Sequence, residues 1–488
     1  MKNLILTGLA MACCAAPVLL HAQNDTPPLP SGPQTDGHFR KVILEADQNK
    51  ADTLKDPMEL AIAPDGRVFY AQRDGTVKMW KPDTKVTVVV GKLKVEDYDG
   101  MHLEDGLLGV TLDPHFAQNG FVYLYYSPPE TTKDAQGGKA GENRLSRFTL
   151  RGESLDLASE KVMLRVGTQR EQCCHAGGSL TFDAQGNIYV STGDNTNPFD
   201  SDGYAPIDQR PGRSPWDAQK SSANANDLRG KILRVTPQPD GSVTIPAGNL
   251  FKPGTPGTRP EIFVMGCRNP FRISVDPKTG YLYWGEVGPD ANGYTEGKGP
   301  IGLDEINQAR VAGNFGWPHF VGDNKPYWWR DFATKQIGEK FDPAHPLNRS
   351  PNNTGIQELP PAQPAFIYYP YSLSTKFPVV NSGGGRTAMA GPVYYFDPKL
   401  KSPHKLPAEF DHTLFIYEWS RNWIIAVHLD AADKIAKMER FCEKMSFKRP
   451  MDMELGPDGC LYLIEWGTAW ANNLDTQIER IEFDSTMP

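Results

Sequence analysis

One pattern recurs along the 488-residue chain and limits what it can fold into: a short apolar strand, a turn bearing Asp, Gly or Pro, and a second strand rich in Val, Tyr, Leu and Trp. Residues 58–80 read MELAIAPDGRVFYAQRDGTVKMW, 106–126 read GLLGVTLDPHFAQNGFVYLYY, and 175–195 read HAGGSLTFDAQGNIYVSTGDN. PFRISVDPKTGYLYWGEVGP (270–289) and MDMELGPDGCLYLIEWG (451–467) keep the same order. A looser copy runs from AGPVYYFD (390–397) to HTLFIYEWSRNWIIAVHLD (412–430). Period-two alternation broken by turn residues marks hairpins, and no helical periodicity of comparable length competes with it. Strands such as RLSRFTL (144–150) and KILRVTP (231–237) fill out individual units. About six units predict an all-β, six-bladed β-propeller over residues 39–488. Two packed β-sandwiches are the alternative, but units of one internal order fit radial repetition better. FRKVILE (39–45) precedes the first unit and is placed to pair with TQIERIEF (476–483) and close the ring.

Such a topology decides where chemistry can gather. The first strand of a blade leaves one face and the second returns to it. Residues just before first strands and just after second strands therefore share the mouth of the central channel, while the Asp-Gly turns lie opposite. Before first strands stand Glu104-Asp105, His175, Arg268-Asn269, Arg386 and Arg449. After second strands stand Arg73-Asp74, Asp194-Asn195, Gly288-Pro289-Asp290, Glu418 with Arg421, and Glu465. His175 is the candidate base, because an imidazole titrates near neutral pH. Arg268 and Asn269 suit an anion or a developing oxyanion. Arg421 and Arg449 either bind carboxylates or neutralise Glu418 and Glu465. Loops 196–227 and 319–385, the second carrying PYWWRDF (326–332), are placed to shape the mouth.

The N-terminus, MKNLILTGLAMACCAAPVLLHAQ, has a lysine, an apolar run and small residues, as a secretory leader does, with cleavage expected after Ala22 or Gln23. Residues 1–23 are read as that leader and 24–38 as a flexible segment. Its apolar run is short for a membrane span. The mature protein is expected to be periplasmic or secreted, in an oxidising compartment. A net charge of −8 without a basic stripe argues against nucleic acid as a partner. Removing the leader leaves Cys173, Cys174, Cys267, Cys442 and Cys460, an odd set with no zinc spacing. Cys173 and Cys174 can form a vicinal disulfide, hold a soft metal with His175, or lie buried as thiols. Export favours the disulfide, with Cys267 free and close to it.

DGLLGVTLDPHF (105–116), HAGGSLTFDAQGNIYVSTGDN (175–195), GCRNPF (266–271) and GEVGPD…LDEINQARVAGNFGWP (285–318), in this order, resemble the soluble glucose/sorbosone dehydrogenases. These are six-bladed propellers that use pyrroloquinoline quinone (PQQ). The resemblance implies that His175 removes the proton of a substrate hydroxyl while a hydride passes to the quinone, and that an external acceptor then takes the electrons. It puts Arg268 and Asn269 at the quinone oxygens. It makes the carbonyls of Gly288 and Pro289 ligands of a calcium ion, joined by Asp290 or by Asp304 and Glu305. The chain also departs from the family pattern. Glu104 stands for a glutamine, Cys174 for the acid before the base, and Ser420 and Met451 for a lysine and an arginine on the cofactor carboxylates. Arg449 remains of that set, with Arg386 and Arg421 as substitutes. The expected function is oxidation of a sugar or related polyol. The alternatives are a quinone-free hydrolase or lyase using Glu104, Glu418 and Glu465 with Trp419 and Trp466 as sugar platforms, and a non-catalytic glycan-binding protein.

Overall fold

The computed structural model describes residues 36–46, 54–96, 104–133, 137–469 and 473–486. The leader at 1–23 and most of the segment 24–38 fall outside these residues. No helix among those described is long and apolar enough to cross a membrane.

Six sheets, antiparallel but for one short parallel pair in the third, form a six-bladed β-propeller, and two two-stranded ribbons stand beside them. Blade one holds Pro57–Ile62, Val68–Gln72, Thr76–Lys81 and Val86–Lys92. Blade two begins at Leu107–Leu112 and Phe121–Tyr126, blade three at Gly177–Phe182 and Ile188–Thr192. Blade four begins at Pro270–Val275 and Leu282–Glu286, blade five at Ala388–Tyr394 and Thr413–Glu418, blade six at Pro450–Leu455 and Leu461–Glu465. Each first strand touches the first strands of both neighbouring blades, so the six make the inner ring. Blade six is completed from both chain ends. Phe39–Ala46 pairs antiparallel with Gln477–Phe483, bringing Phe39 opposite Phe483.

Charged side chains hold the axis. Arg272 is 1% exposed and lies 3.2 Å from Asp452. Its Nε donates to the Met451 carbonyl of blade six at 3.0 Å. Glu59 of blade one accepts N–H groups from Val110 of blade two (2.8 Å) and Leu180 of blade three (3.1 Å), and Asp452 accepts the Leu60 N–H (2.7 Å). Burying charge is costly unless it is paired and hydrogen-bonded, and here those bonds run between blades. Burial pushes Glu59 up to about 8.

Candidate active site

The hairpin of blade three delivers both its ends to one spot. His175, two residues before Gly177–Phe182, and Asp194, two residues after Ile188–Thr192, meet with Nδ1 and Oδ1 2.7 Å apart. The ends are drawn together by the backbone, with Asn195 N–H on the His175 carbonyl (3.2 Å) and Gly193 N–H on Ala176 (3.1 Å). Gly193 is required at this pinch, since a Cβ there would lie 2.0 Å from the His175 carbonyl oxygen. The second Asp194 oxygen accepts the Trp317 indole N–H at 2.8 Å. A carboxylate acceptor at Nδ1 keeps the proton there, which leaves Nε2 as the basic nitrogen.

Blade four sets Arg268 and Asn269 beside this pair. The Asp194 N–H donates to the Arg268 carbonyl at 2.7 Å. The N–H groups of Arg268 and Asn269 both donate to Glu286 Oε1, at the end of the second strand. Burial pushes Glu286 up to about 8, with Glu305 opposite it in the ladder adding repulsion. The Arg268 guanidinium donates to the Val287 carbonyl (2.9 Å) and reaches Asp290 (3.5 Å). The Asn269 amide bridges blades: its oxygen accepts the Gly177 N–H (3.1 Å) and its nitrogen donates to Glu104 (3.2 Å). Glu104 also accepts the Ala176 N–H at 3.0 Å. Burial would raise the Glu104 carboxyl, but His175 and these N–H groups hold it low. Glu104 is thus an anion tied to the loop that carries His175.

His175, Asp194 and Arg268 line a cavity of about 410 Å3, walled further by Trp317, Tyr327 and Lys298. That size suits a small organic ligand. Thr196, Phe199 and Pro206 of loop 196–227 and Tyr327 of loop 319–385 belong to its wall. Within PYWWRDF it is Tyr327 that joins Trp317 and Phe199 in the wall, while Trp328 lies under the Lys340 ammonium (4.9 Å).

The sequence model of glucose/sorbosone dehydrogenases matches residues 54–358, more than half of the chain. The chain belongs to the glucose/sorbosone dehydrogenase family. It is 24% identical to quinoprotein glucose dehydrogenase B of Acinetobacter calcoaceticus over 492 residues, covering 96% of this chain and 94% of that one. It is 29% identical to the aldose sugar dehydrogenase YliI of Escherichia coli over 270 residues, 55% of this chain and 60% of that one. Among solved structures, the PQQ-bound form of the aldose sugar dehydrogenase of Streptomyces coelicolor superposes with a TM-score of 0.55 at 19% identity, covering 93% of this chain and 99% of that one. At that identity the superposition speaks for the fold.

Against the expectations drawn from the glucose/sorbosone dehydrogenases, several residues do other work. Arg421 is withdrawn from any ligand: its guanidinium donates to the carbonyls of Gly385 (2.7 Å), Val380 (3.1 Å) and Pro370 (2.8 Å). Glu418 is fully buried and accepts the N–H groups of Thr387 and Arg421. Glu465, also fully buried, is bonded to Lys41 and Gln477. These two acids lock strands and do not form a carboxylate pair for sugar cleavage. Trp419 and Trp466, 5.4 Å apart, pack against the Arg449 guanidinium instead of standing as bare platforms, and Arg449 donates to the Ala469 carbonyl (2.6 Å). Ser420 is bonded to Thr387 (2.7 Å), and Met451 is buried.

Apart from the Gly288 carbonyl, the oxygens expected to hold calcium already have donors. The Pro289 carbonyl accepts Arg386 at 2.8 Å. Asp304 accepts the Gly288 N–H (3.0 Å) and the Ala388 N–H (2.9 Å) and pairs with Arg386 (3.2 Å). Asp290 is held by the Tyr371 hydroxyl (2.6 Å) and Arg268, and Glu305 by Asn307 (3.0 Å) and the Gly322 N–H (2.5 Å). A divalent ion does not fit oxygens that face a guanidinium and N–H donors.

Cys173 and Cys174 are joined by a disulfide directly before His175. Cys267 is a buried free thiol packed among Trp284, Phe315 and Ile273, and burial raises it far above the usual thiol range. The place of Asp194 at the mouth is legible in the sequence, but its bond to His175 is not. Nor are the bonds of Trp317 to Asp194 and of Tyr371 to Asp290. Glycines 177, 178 and 193 were the available signal, since they permit the close approach of the hairpin ends.

Proposed function

We propose that this protein is an exported quinoprotein-type dehydrogenase that oxidises a hydroxyl-bearing carbon of a sugar or related polyol, with His175 as the base. The observation that carries the reading is the His175–Asp194 pair on a ligand-sized cavity beside Arg268, in a member of the glucose/sorbosone dehydrogenase family. The cavity wall supplies cations (Arg268, Lys298) and aromatic faces (Trp317, Tyr327), a donor set that suits a flat, anionic quinone such as PQQ. Bound there, PQQ would supply the hydride acceptor.

The chain's own part is acid–base and electrostatic. Asp194 orients the imidazole and stabilises the imidazolium that forms when Nε2 takes the substrate hydroxyl proton. Arg268, held by Val287 and Asp290, presents fixed positive charge toward oxygen atoms that gain charge. Asn269, pinned between Gly177 and Glu104, keeps the loop of His175 in register with blade four.

Reconstitution tests this. Protein titrated with PQQ should reduce an electron-accepting dye when an aldose is added. PQQ binding without any dye reduction across a panel of sugars and polyols would defeat the proposal. Sugar turnover with no PQQ present would defeat it as well.

A further inference from the structure

We propose that the cation at the mouth is built into the chain as Arg386, and that the site holds its anionic ligand without calcium. The inference rests on the reading of this cavity as a PQQ site.

Arg386 is 5% exposed and enters just before the first strand of blade five. Its guanidinium makes the two contacts that a mouth cation would make. One NH2 donates to the Pro289 carbonyl at 2.8 Å, and NH1 lies 3.2 Å from Asp304. Both partners in the ion pair are 1% exposed. Asp304 is oriented independently by the backbone N–H groups of Gly288 and Ala388, so the carboxylate is fixed before the guanidinium meets it. Tyr371 covers the other side, its ring 3.9 Å from the guanidinium carbon. The Tyr371 hydroxyl donates to Asp290 at 2.6 Å, and Asp290 reaches Arg268. The result is a continuous chain from Arg386 through Tyr371 and Asp290 to Arg268, which borders the cavity.

A calcium ion on the Pro289 carbonyl and the Asp304 carboxylate would hold both at ligand distance. It would then sit against a guanidinium that cannot lose its proton. Like charge excludes it for as long as Arg386 keeps its place. Of the two carboxylates that contact Arg386 and Arg268, Asp304 is 1% exposed and Asp290 has a half-exposed side chain (52%). An entering carboxylate ligand would displace it from Arg268 and exchange one anion for another, with no metal needed as a bridge.

The test uses full-length mature protein stripped of metal and cofactor. Calcium is titrated into wild type, Arg386→Met and Arg386→Lys by calorimetry, with melting temperatures in calcium and in EDTA. PQQ affinity is then read by absorbance under both conditions. For wild type we expect the same melting temperature with calcium as with EDTA, and PQQ affinities within about threefold of each other. Arg386→Met should weaken PQQ about tenfold or more in EDTA and recover part of that loss in calcium. Arg386→Lys should keep most of the affinity in EDTA. A wild-type PQQ affinity or melting temperature that rises with calcium, the affinity by about tenfold or more, overturns the proposal. If PQQ binds under neither condition, the cofactor reading fails, while the calcium arm in ligand-free protein still decides the cation. If Arg386→Met does not fold, the wild-type and Arg386→Lys arms carry the decision.

Discussion

Asp194 of blade three and Glu418 of blade five hold equivalent places. Each stands at or just past the mouth end of a second strand, and each is buried. Glu418 turns inward and accepts backbone N–H groups of its own blade, as Glu286 does in blade four. Asp194 also takes a backbone N–H, from Thr196 (2.9 Å), but adds an imidazole on the same oxygen and an indole on the other. Topology brings an acid to the mouth in each case. Its partner decides whether the acid fastens the blade or supports a base.

Removing the partner should break this comparison most clearly. His175→Gln should lower dye-linked turnover about a hundredfold or more, the usual scale for a general base, with the melting temperature unchanged. Steady-state kinetics beside a thermal melt would show it. Asp194→Asn comes next. It keeps the shape but loses the charge that fixes the tautomer, so turnover should drop about tenfold or more with a smaller change in KM. Glu418→Ala should do the reverse. Two buried N–H groups lose their acceptor, which costs about 1–3 kcal/mol each way such a group is orphaned, read by chemical denaturation. PQQ binding should survive in whatever folds.

Acidity sharpens the same contrast. Glu286 and Glu418 are both pushed up to about 8, first by burial and then by a neighbouring carboxylate. A carboxyl that holds its proton more tightly folded than unfolded adds stability at pH 5, and that stability is lost as pH rises toward 8. Melting temperatures should therefore fall over this window, and Glu418→Gln should flatten part of the slope. The smallest expected effect concerns the Cys173–Cys174 disulfide. Under native conditions both should resist alkylation until a reductant is added, as mass spectrometry would show. Reduction should lower turnover only a few-fold, about the scale of a positioning effect.

Much of this was legible in the chain. Alternating apolar residues and Asp-Gly turns mark the hairpins, and Phe39–Ala46 and Gln477–Phe483 each read as a strand without a hairpin partner nearby. The rule that both ends of a hairpin share a face also brings His175 and Asp194 to one place. What stayed hidden is the partner of each charged side chain. Nothing in the order of residues tells Arg421, spent on three carbonyls, from Arg386, paired with Asp304. Those bonds join residues dozens of positions apart, and pattern reading works within a hairpin. The cation on the Pro289 carbonyl is hidden for the same reason: Gly288-Pro289 is a local motif, while the guanidinium that meets it arrives 97 residues later.

The ring closure has a consequence in time. Phe39–Ala46 comes off the ribosome ahead of every other described strand, yet its only ladder partner is Gln477–Phe483. At the usual pace of synthesis, on the order of half a minute separates the two. Through that interval the early strand has no mate, and blades one to five can assemble only as an open arc. A chain that crosses a membrane before folding meets no conflict here, because both ends reach the far side before the arc has to shut.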